Sequence, residues 1–317
     1  MTIRLPILAA VLSALLLWSV AARAEELKVV ATIKPVHSLV AAIMGTTGTP
    51  ALLIDGGASP HTFSLKPSHA RALAHADIVF WIGPVLEQFL EGPLANLAEQ
   101  ARSVPLLETS NVRDLPVRSG GVWETHDTHD AHGDEHGTAP QDGPSAIDPH
   151  IWLDVGNAIA LTGAIEEELT KAYPDLAATF AANAERLRDR LTALDREIEA
   201  TVSPVSTTPY FVFHDAYQYY ETRYGLAPLG AVTASPDIRP GARRLTDLRQ
   251  TVEERGVVCV FAEPQFEPRL LNILVEDEKV RLALLDPLGS DIAAGPDHYA
   301  DSMRALTASL VGCLSHP

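Results

Sequence analysis

Residues 175–202 read DLAATFAANAERLRDRLTALDREIEATV, a run without glycine or proline. Apolar residues recur in this run at steps of three and four, which is the spacing of one face of an α-helix. They are Leu176, Phe180, Ala184, Leu187, Leu191, Leu194 and Ile198. At 1.5 Å per residue such a helix is about 40 Å long, which exceeds the width of one small lobe. We therefore predict that this helix links two lobes.

Short apolar strands alternate with helices on the N-terminal side of this linking helix. The predicted strands are residues 27–33, 51–54, 77–82 and 104–107, and the predicted helices are residues 36–44, a helix entered at 67–68, and 87–102. Alternation of this kind is typical of a parallel sheet with helices on both faces.

The same alternation returns on the C-terminal side. Strands are predicted at residues 210–213, 229–232, 257–262 and 281–285, and helices at 241–255, 268–278 and 299–314. The fold class is therefore α/β with two lobes, each a parallel sheet flanked by helices. We place the N-terminal lobe at 25–155, a linking helical segment at 156–202 and the C-terminal lobe at 203–317.

The N-terminus has the pattern of a secretory signal peptide. Arg4 precedes an apolar run at residues 5–20 whose only polar residues are two serines, and Ala22-Arg23-Ala24 is a small-x-small cleavage site. We expect export with cleavage after Ala24. The alternative, a membrane anchor, is disfavoured because the run is short for a bilayer span. No other stretch of the sequence is long and apolar enough to cross a bilayer, so we expect no stable membrane insertion.

The chain is acidic, with a formal net charge of −17 at pH 7. Nucleic acid and anionic membrane surfaces are therefore poor partners, whereas a cationic ligand suits this charge. The sequence contains two cysteines, Cys259 and Cys313. Outside the cytosol such a pair more often forms a disulfide than two free thiols, and the CxxC spacing of a zinc site is missing. We predict a disulfide that fixes the C-terminal helix to the second lobe.

A histidine-rich segment lies between the two halves of the chain. His126, His129, His132 and His136 alternate with acidic residues, and glycine, proline, threonine and alanine fill much of residues 125–147. This composition cannot bury an apolar face, so it predicts a polar loop. Imidazole and carboxylate groups at this density can bind a cation such as Zn²⁺ weakly at several positions. The alternative is an acidic, solvated linker.

Four other residues stand where a parallel sheet would present a ligand. His61 follows the second predicted strand, His214 and Asp286 follow strands of the second lobe, and His150 precedes the linking helices. Ligands bind outside the carboxyl ends of parallel strands, so these side chains could meet in a cleft between the lobes. Three imidazoles and one carboxylate form a tetrahedral set for zinc. Taken singly, each histidine could equally be a surface residue, and Asp286 could cap a turn.

Four segments of the sequence resemble the signature segments of the metal-binding receptors of ABC transporters. They are GASPHTFSLKPS at 57–68, DPHIWLD at 148–154, FHDAYQYYETRYGL at 213–226 and LLDPLG at 284–289. The histidine-rich insertion before DPHIWLD is similar to that of the ZnuA-type periplasmic zinc-binding proteins. The resemblance covers essentially the whole mature chain.

The resemblance implies a ligand set. The histidines that match His61, His150 and His214 bind the metal in this family, and the acid that matches Asp286 is a ligand in many members. Some zinc receptors carry an acid just before the first histidine, but this chain has Pro60 there, so Asp286 or a water must be the fourth ligand. Manganese-preferring relatives usually replace the third histidine with glutamate, and nitrogen-rich coordination favours zinc.

The resemblance also implies a function and a mechanical property. It implies a zinc-binding protein of the periplasm, not an enzyme, that delivers Zn²⁺ to the membrane permease of an ABC-type zinc transporter. We expect a monomer with two four-stranded lobes joined by a rigid helix, and hence little hinge motion. The absence of a lipobox cysteine at the cleavage site favours a free periplasmic protein.

Two alternatives stay open at this point. A zinc hydrolase could use three histidines and an open coordination position for an activated water, although the sequence has no HExxH motif and only Glu263 could lie near the cleft as a base. An adhesin or an extracellular metal buffer could have the same fold.

Overall fold

The computed structural model describes residues 27–118, 123, 146–233, 240–266, 271 and 280–315, with only the backbone described at position 242. The strands are β1 (Val29–Ile33), β2 (Ala51–Ile54), β3 (Ile78–Trp81), β4 (Arg102–Pro105), β5 (Tyr210–His214), β6 (Pro228–Thr233), β7 (Cys259–Ala262) and β8 (Arg281–Leu284). The α-helices are α1 (Lys34–Met44), α2 (Pro67–Ala74), α3 (Glu91–Asn96), α4 (Val155–Ala172), α5 (Ala177–Val202), α6 (Gln218–Tyr224), α7 (Ala242–Arg255) and α8 (His298–Leu314). The predicted signal peptide, the four histidines of the histidine-rich loop and most of the helix predicted at 268–278 lie outside the described residues.

The strands form two four-stranded parallel sheets with the same topology, ordered β2-β1-β3-β4 and β6-β5-β7-β8. The predicted pair of parallel sheets is thus confirmed. In each sheet the first strand lies between the second and the third. The order in which strands are added across the sheet therefore reverses between β1 and β3 and again between β5 and β7. Ligands of open α/β sheets bind outside the carboxyl ends of the strands at such a switch point.

The linking helix α5 follows the predicted periodicity. Its buried residues include Phe180, Ala184, Leu187, Leu191, Leu194 and Ile198. Leu176 differs, because it lies in a 3₁₀ turn at Pro174–Leu176 and is only half-buried. The helix packs against α4, α1 and α8, so helices from both halves of the chain support it.

One continuous hydrophobic core connects the two lobes. It contains Val30 and Phe80 from the first sheet, Tyr210 and Phe261 from the second, and Trp152 from the segment between them. A second, smaller cluster lies between the second sheet and α7. Because close-packed interiors resist deformation, a shared core favours the small hinge motion expected from the sequence.

The helix predicted at 87–102 is wrong. Only Glu91–Asn96 is α-helical, after a 3₁₀ turn at Gln88–Leu90, and β4 already begins at Arg102. Residues 102–105 pair in register with β3, and this pairing overrides the weak helical preference of the segment. The strand predicted at 104–107 therefore begins and ends two residues earlier.

Cys259 on β7 and Cys313 on α8 form the predicted disulfide. The bond fixes the last helix to a central strand of the second sheet. In the described part of the chain, no helix has both the length and the apolar character that crossing a bilayer requires.

Candidate metal centre

His214 is held at the switch point of the second sheet by Glu263. β5 and β7 are parallel with Val212 opposite Phe261, so the residues two positions further along each strand are neighbours. The Nδ1 of His214 lies 2.6 Å from Oε1 of Glu263, and both side chains are buried. Nδ1–H donates to this carboxylate, so in the neutral ring Nε2 is the unprotonated nitrogen.

His150 is oriented in the same way by Asp148. The Oδ1 of Asp148 accepts hydrogen bonds from the backbone N–H of His150 at 3.0 Å and from its Nδ1–H at 2.7 Å. The backbone of Asp148 is itself fixed, because its N–H donates to the Leu115 carbonyl and its carbonyl accepts from the Tyr219 hydroxyl. The Nε2 of His150 is therefore also unprotonated.

His61 lies in the loop that follows β2 and is half-buried. Its backbone N–H donates to Ser59 Oγ at 3.3 Å. Among the residues that the structure describes, no carboxylate accepts a hydrogen bond from its ring. This histidine is thus held by its loop and by the two other imidazoles.

The three Nε2 atoms converge on one point. Nε2 of His150 lies 3.4 Å from that of His61 and 3.3 Å from that of His214, and the three ligand atoms all lie within 4.8 Å of one another. In the neutral rings of His150 and His214 these nitrogens direct lone pairs toward each other, an arrangement that a cation stabilises. The histidines line two cavities, of about 10 and 130 Å³.

Burial keeps two of the imidazoles neutral. Burial and the nearby His150 and His214 lower the pKa of His61 to about 2. Burial and His214 lower the pKa of His150 well below its ordinary value. Burial also acts to lower the pKa of His214, but the charge and hydrogen bond of Glu263 outweigh it and raise that pKa. Neutral imidazole is the form that binds a metal ion.

Asp286 lies two residues beyond the end of β8 and is engaged within its own loop. Its Oδ1 accepts from the Leu288 N–H at 3.0 Å and from Gln265 Nε2 at 2.9 Å, and its Oδ2 accepts from the Ser290 N–H at 2.5 Å. The group of converging ligand atoms consists of the three histidines, without Asp286. Its role as the fourth ligand stays a prediction.

The stems of the histidine-rich loop are paired next to the site. The Val117 N–H donates to the Ala146 carbonyl at 2.8 Å, and Pro116 and Ile147 form an antiparallel bridge. Ile147 is three residues from His150. Arg118, on the first stem, forms ion pairs with Asp215 and Glu221 of the second lobe.

Sequence reasoning missed the supporting role of two carboxylates. Asp148 could have been found, since it stands two residues before His150 in the DPHIWLD segment. Glu263 was noted only as an acid near the cleft, because its contact with His214 depends on the register of two strands that are distant in sequence.

Residues 29–313 match the family described as zinc-uptake complex component A, periplasmic. The high-affinity zinc uptake system protein ZnuA of Brucella suis biovar 1 is 40% identical over 315 residues, covering 92% of each chain. That of Yersinia pestis is 36% identical, covering 90% of this chain and 91% of its own.

Solved structures share the fold at lower identity. A crystal structure of ZnuA has a TM-score of 0.74 at 21% identity, over 91% of this chain and 99% of that one. A laminin-binding adhesin from Streptococcus agalactiae has a TM-score of 0.73 at 21% identity, over 90% and 98%. The converging histidines and the matched sequence agree, and the chain belongs to the ZnuA family of periplasmic zinc-uptake components.

Proposed function

We propose that this protein captures one Zn²⁺ ion with His61, His150 and His214 and delivers it to the membrane permease of an ABC-type zinc transporter. The convergence of the three Nε2 atoms carries this proposal. Two of the rings are pre-oriented by carboxylates, which is the usual arrangement around a histidine that binds zinc. Tetrahedral coordination rich in nitrogen suits Zn²⁺ better than the harder Mn²⁺.

The fourth coordination position belongs to Asp286 or to a water. Pro60 has no side-chain donor, so the position before the first histidine cannot supply a carboxylate. Glu263, the acid that directly follows β7, is hydrogen-bonded to His214 and orients that ring.

The protein acts in the periplasm as a monomer after cleavage of the signal peptide behind Ala24. The sequence pattern of residues 4–24 and the description of the family support this location. The two sheets support the division into lobes at 25–155 and 203–317, with residues 156–202 linking them.

Capture is a better explanation of the site than hydrolysis. The two cavities lined by the three histidines measure about 10 and 130 Å³, whereas sites for small organic molecules usually measure about 300–1,000 Å³. Glu263 is buried and already paired with His214, so it is a poor general base. The likeness to a laminin-binding adhesin, at 21% identity, extends to the fold alone.

The histidine-rich loop adds weaker metal ligands, His126, His129, His132 and His136. Its paired stems lie beside His150, which supports a role in collecting ions near the site. Its acidic residues attract cations and can raise the rate of capture.

Calorimetric titration of the mature protein with Zn²⁺ tests the ligand set. We expect one tight site, and we expect His61→Ala, His150→Ala and His214→Ala each to abolish it while the fold persists. The loss should exceed the roughly 10- to 100-fold effect of removing a group that only supports a ligand. His75→Ala, at an exposed position of the first lobe, is the matched control. Tight binding of one zinc by the His150 variant would contradict the assignment.

A further inference from the structure

Gln265 lies in the turn after β7, two residues beyond Glu263, and lines the same cavity as the three histidines. Its Nε2 lies 2.9 Å from Asp286 Oδ1 and 2.9 Å from Ser290 Oγ. The orientation of the amide follows from its chemistry, because only the NH₂ group can donate to a carboxylate. The NH₂ group of Gln265 therefore donates a hydrogen bond to the Asp286 carboxylate.

The other donors to Asp286 come from its own loop. They are the backbone N–H groups of Leu288 and Ser290 and, at 3.4 Å, the Ser290 hydroxyl. Among the described residues, Gln265 is the one outside this loop that donates a hydrogen bond to the Asp286 carboxylate. A shift of Gln265 would free Oδ1 of Asp286 on that side without unfolding the loop.

The second end of the Gln265 amide is buried without a partner. Its Oε1 has no hydrogen bond to any described residue of the protein. A buried amide oxygen is costly when it is unpaired, so such an atom commonly marks the place of a ligand or an ordered water. Here the atom belongs to a residue that lines the metal cavity.

We propose that Gln265 selects the fourth ligand of the bound zinc. Its Nε2 retains Asp286 in the loop, and its Oε1 accepts a hydrogen bond from a water that completes the coordination of the ion by three histidines. Gln265 is thus a positioning residue that acts through Asp286 and the water. This proposal rests on the three-histidine site of the proposed function.

The consequence concerns release of the ion. A neutral water leaves zinc more readily than an anionic carboxylate, so retaining Asp286 keeps the fourth position open to exchange. A protein that must give up its ion to a partner gains faster delivery from this arrangement. Removing the Gln265 amide should let Asp286 coordinate and should slow the release.

The test uses Gln265→Met, which keeps the length of the side chain but removes both polar groups. We expect zinc to dissociate several-fold more slowly from this variant, because an anionic carboxylate would replace a neutral water in the coordination of the ion. The visible spectrum of the Co²⁺-loaded protein should change as a carboxylate replaces water. Both effects should vanish in Gln265→Met/Asp286→Ala. Gln250→Met, on the exposed face of α7, is the matched control.

A second variant keeps the proposal testable if Gln265→Met folds poorly. Asp286→Ala alone should leave the zinc dissociation rate and the Co²⁺ spectrum unchanged, since Asp286 does not coordinate while Gln265 holds it. A large change in either quantity would overturn the proposal. Release of zinc from Gln265→Met at the wild-type rate would also overturn it. So would slow release from Gln265→Met/Asp286→Ala, which lacks the Asp286 carboxylate.

These results separate the proposal from the function on which it rests. If the wild-type protein binds zinc without needing the three histidines, the proposed function fails. If its tight binding needs the three histidines but Gln265→Met has no effect, the role of Gln265 alone fails.

Discussion

Asp148 and Glu263 each fix one imidazole of the site, whereas His61 has no such partner among the described residues. The two rings held by carboxylates are buried, and the third is half-buried. Of the three imidazoles, His61 is therefore the one with the most freedom to move.

The affinity for zinc should fall with acidity, but less steeply than three ordinary histidines would require. The reference pKa of about 6.5 predicts competition by up to three protons. Burial lowers the pKa of His61 to about 2 and that of His150 well below its ordinary value, so neither takes up a proton near neutral pH. The pKa of His214 is raised by Glu263, and burial raises that of Asp148 to about 7.

We therefore expect the loss of affinity between pH 7 and pH 5 to correspond to about one to two protons per zinc, taken up by His214 and Asp148. Competition titrations with a chelator at each pH measure the slope. A slope of three protons would show that His61 and His150 titrate as exposed histidines do, and a flat profile would indicate coordination by carboxylates.

Glu87 gives a second dependence on pH, this time of stability. Its buried Oε2 accepts from the N–H groups of Ile82 and Gly83 at 2.8 and 3.1 Å, and burial raises its pKa to about 7. The folded state thus binds this proton more tightly than the unfolded chain, whose value is 4.5. The stabilising contribution is complete at pH below 4.5 and is lost as the pH rises through 7.

Glu87→Gln cannot ionise, so it should reduce the decline in the free energy of unfolding between pH 5 and pH 8 by about 2 kcal/mol. Urea unfolding across this range measures the difference between the two proteins. Glu199→Gln, at an exposed position of α5, is the control and should leave the decline unchanged. Parallel curves for wild type and Glu87→Gln would contradict the assignment.

At the level of single residues, the sequence predicted the three histidines because each stands in a distinctive segment at the end of a strand or before a helix. It could not predict the partner of His214, because that contact requires the register of β5 against β7. The hydrogen bonds of Asp286 could not be predicted from the sequence either, because they depend on the conformation of a loop and on Gln265, which follows another strand.

Among the elements, the last helix depends on a covalent bond. Cys313 near the end of α8 is joined to Cys259 of β7 across a sequence separation of 54 residues. The helix also packs against α1, α5 and β8, so it contributes to both halves of the core. Losing the bond should weaken the whole molecule and not only the terminus.

Cys259→Ser/Cys313→Ser should lower the free energy of unfolding by about 2–4 kcal/mol, since the crosslink restricts the unfolded chain. Denaturant unfolding with and without a reductant measures the effect, and reduced wild type should match the variant. The oxidised, unfolded wild-type protein should expose no thiol to a thiol reagent, and two reactive thiols there would refute the bond.

Elements with strong patterns were predicted well and ambiguous ones were not. The strand at 27–33 and the helix at 175–202 have long, regular apolar patterns, and both were found within two residues of their ends. The helix at 87–102 was wrong because Gly92 and Pro93 weaken the helical preference of the segment, and because pairing with β3 takes Arg102 into the sheet. The short helix α6 was missed, since its tyrosines have only modest helical preference.

For the whole molecule, the shared core explains how a site between two lobes can be formed before the ion arrives. Trp152, beside His150, donates from Nε1 to the Pro287 carbonyl of the second lobe at 2.8 Å. Lys34, the first residue of α1, donates to the carbonyls of Ser290 and Ile292 at 2.7 and 3.0 Å. These contacts hold the lobes at a fixed distance, so little conformational entropy is lost on binding.

The histidine-rich loop should be dispensable for tight binding. Deleting residues 125–137 should leave one high-affinity zinc site and remove only weaker ones, because a flexible segment must be ordered to enclose an ion whereas the strand ends are already ordered. Calorimetric titration of the deletion beside the full mature protein measures both phases. Loss of the tight phase with the loop would mean that loop histidines belong to the primary site.

The most direct measurement of the central claim is anomalous scattering at the zinc edge from crystals of the mature protein grown with one equivalent of Zn²⁺. We predict one strong peak at about 2.0–2.1 Å from the Nε2 atoms of His61, His150 and His214. A principal peak elsewhere, or a peak at the cleft that lacks any one of these three nitrogens, would contradict the account.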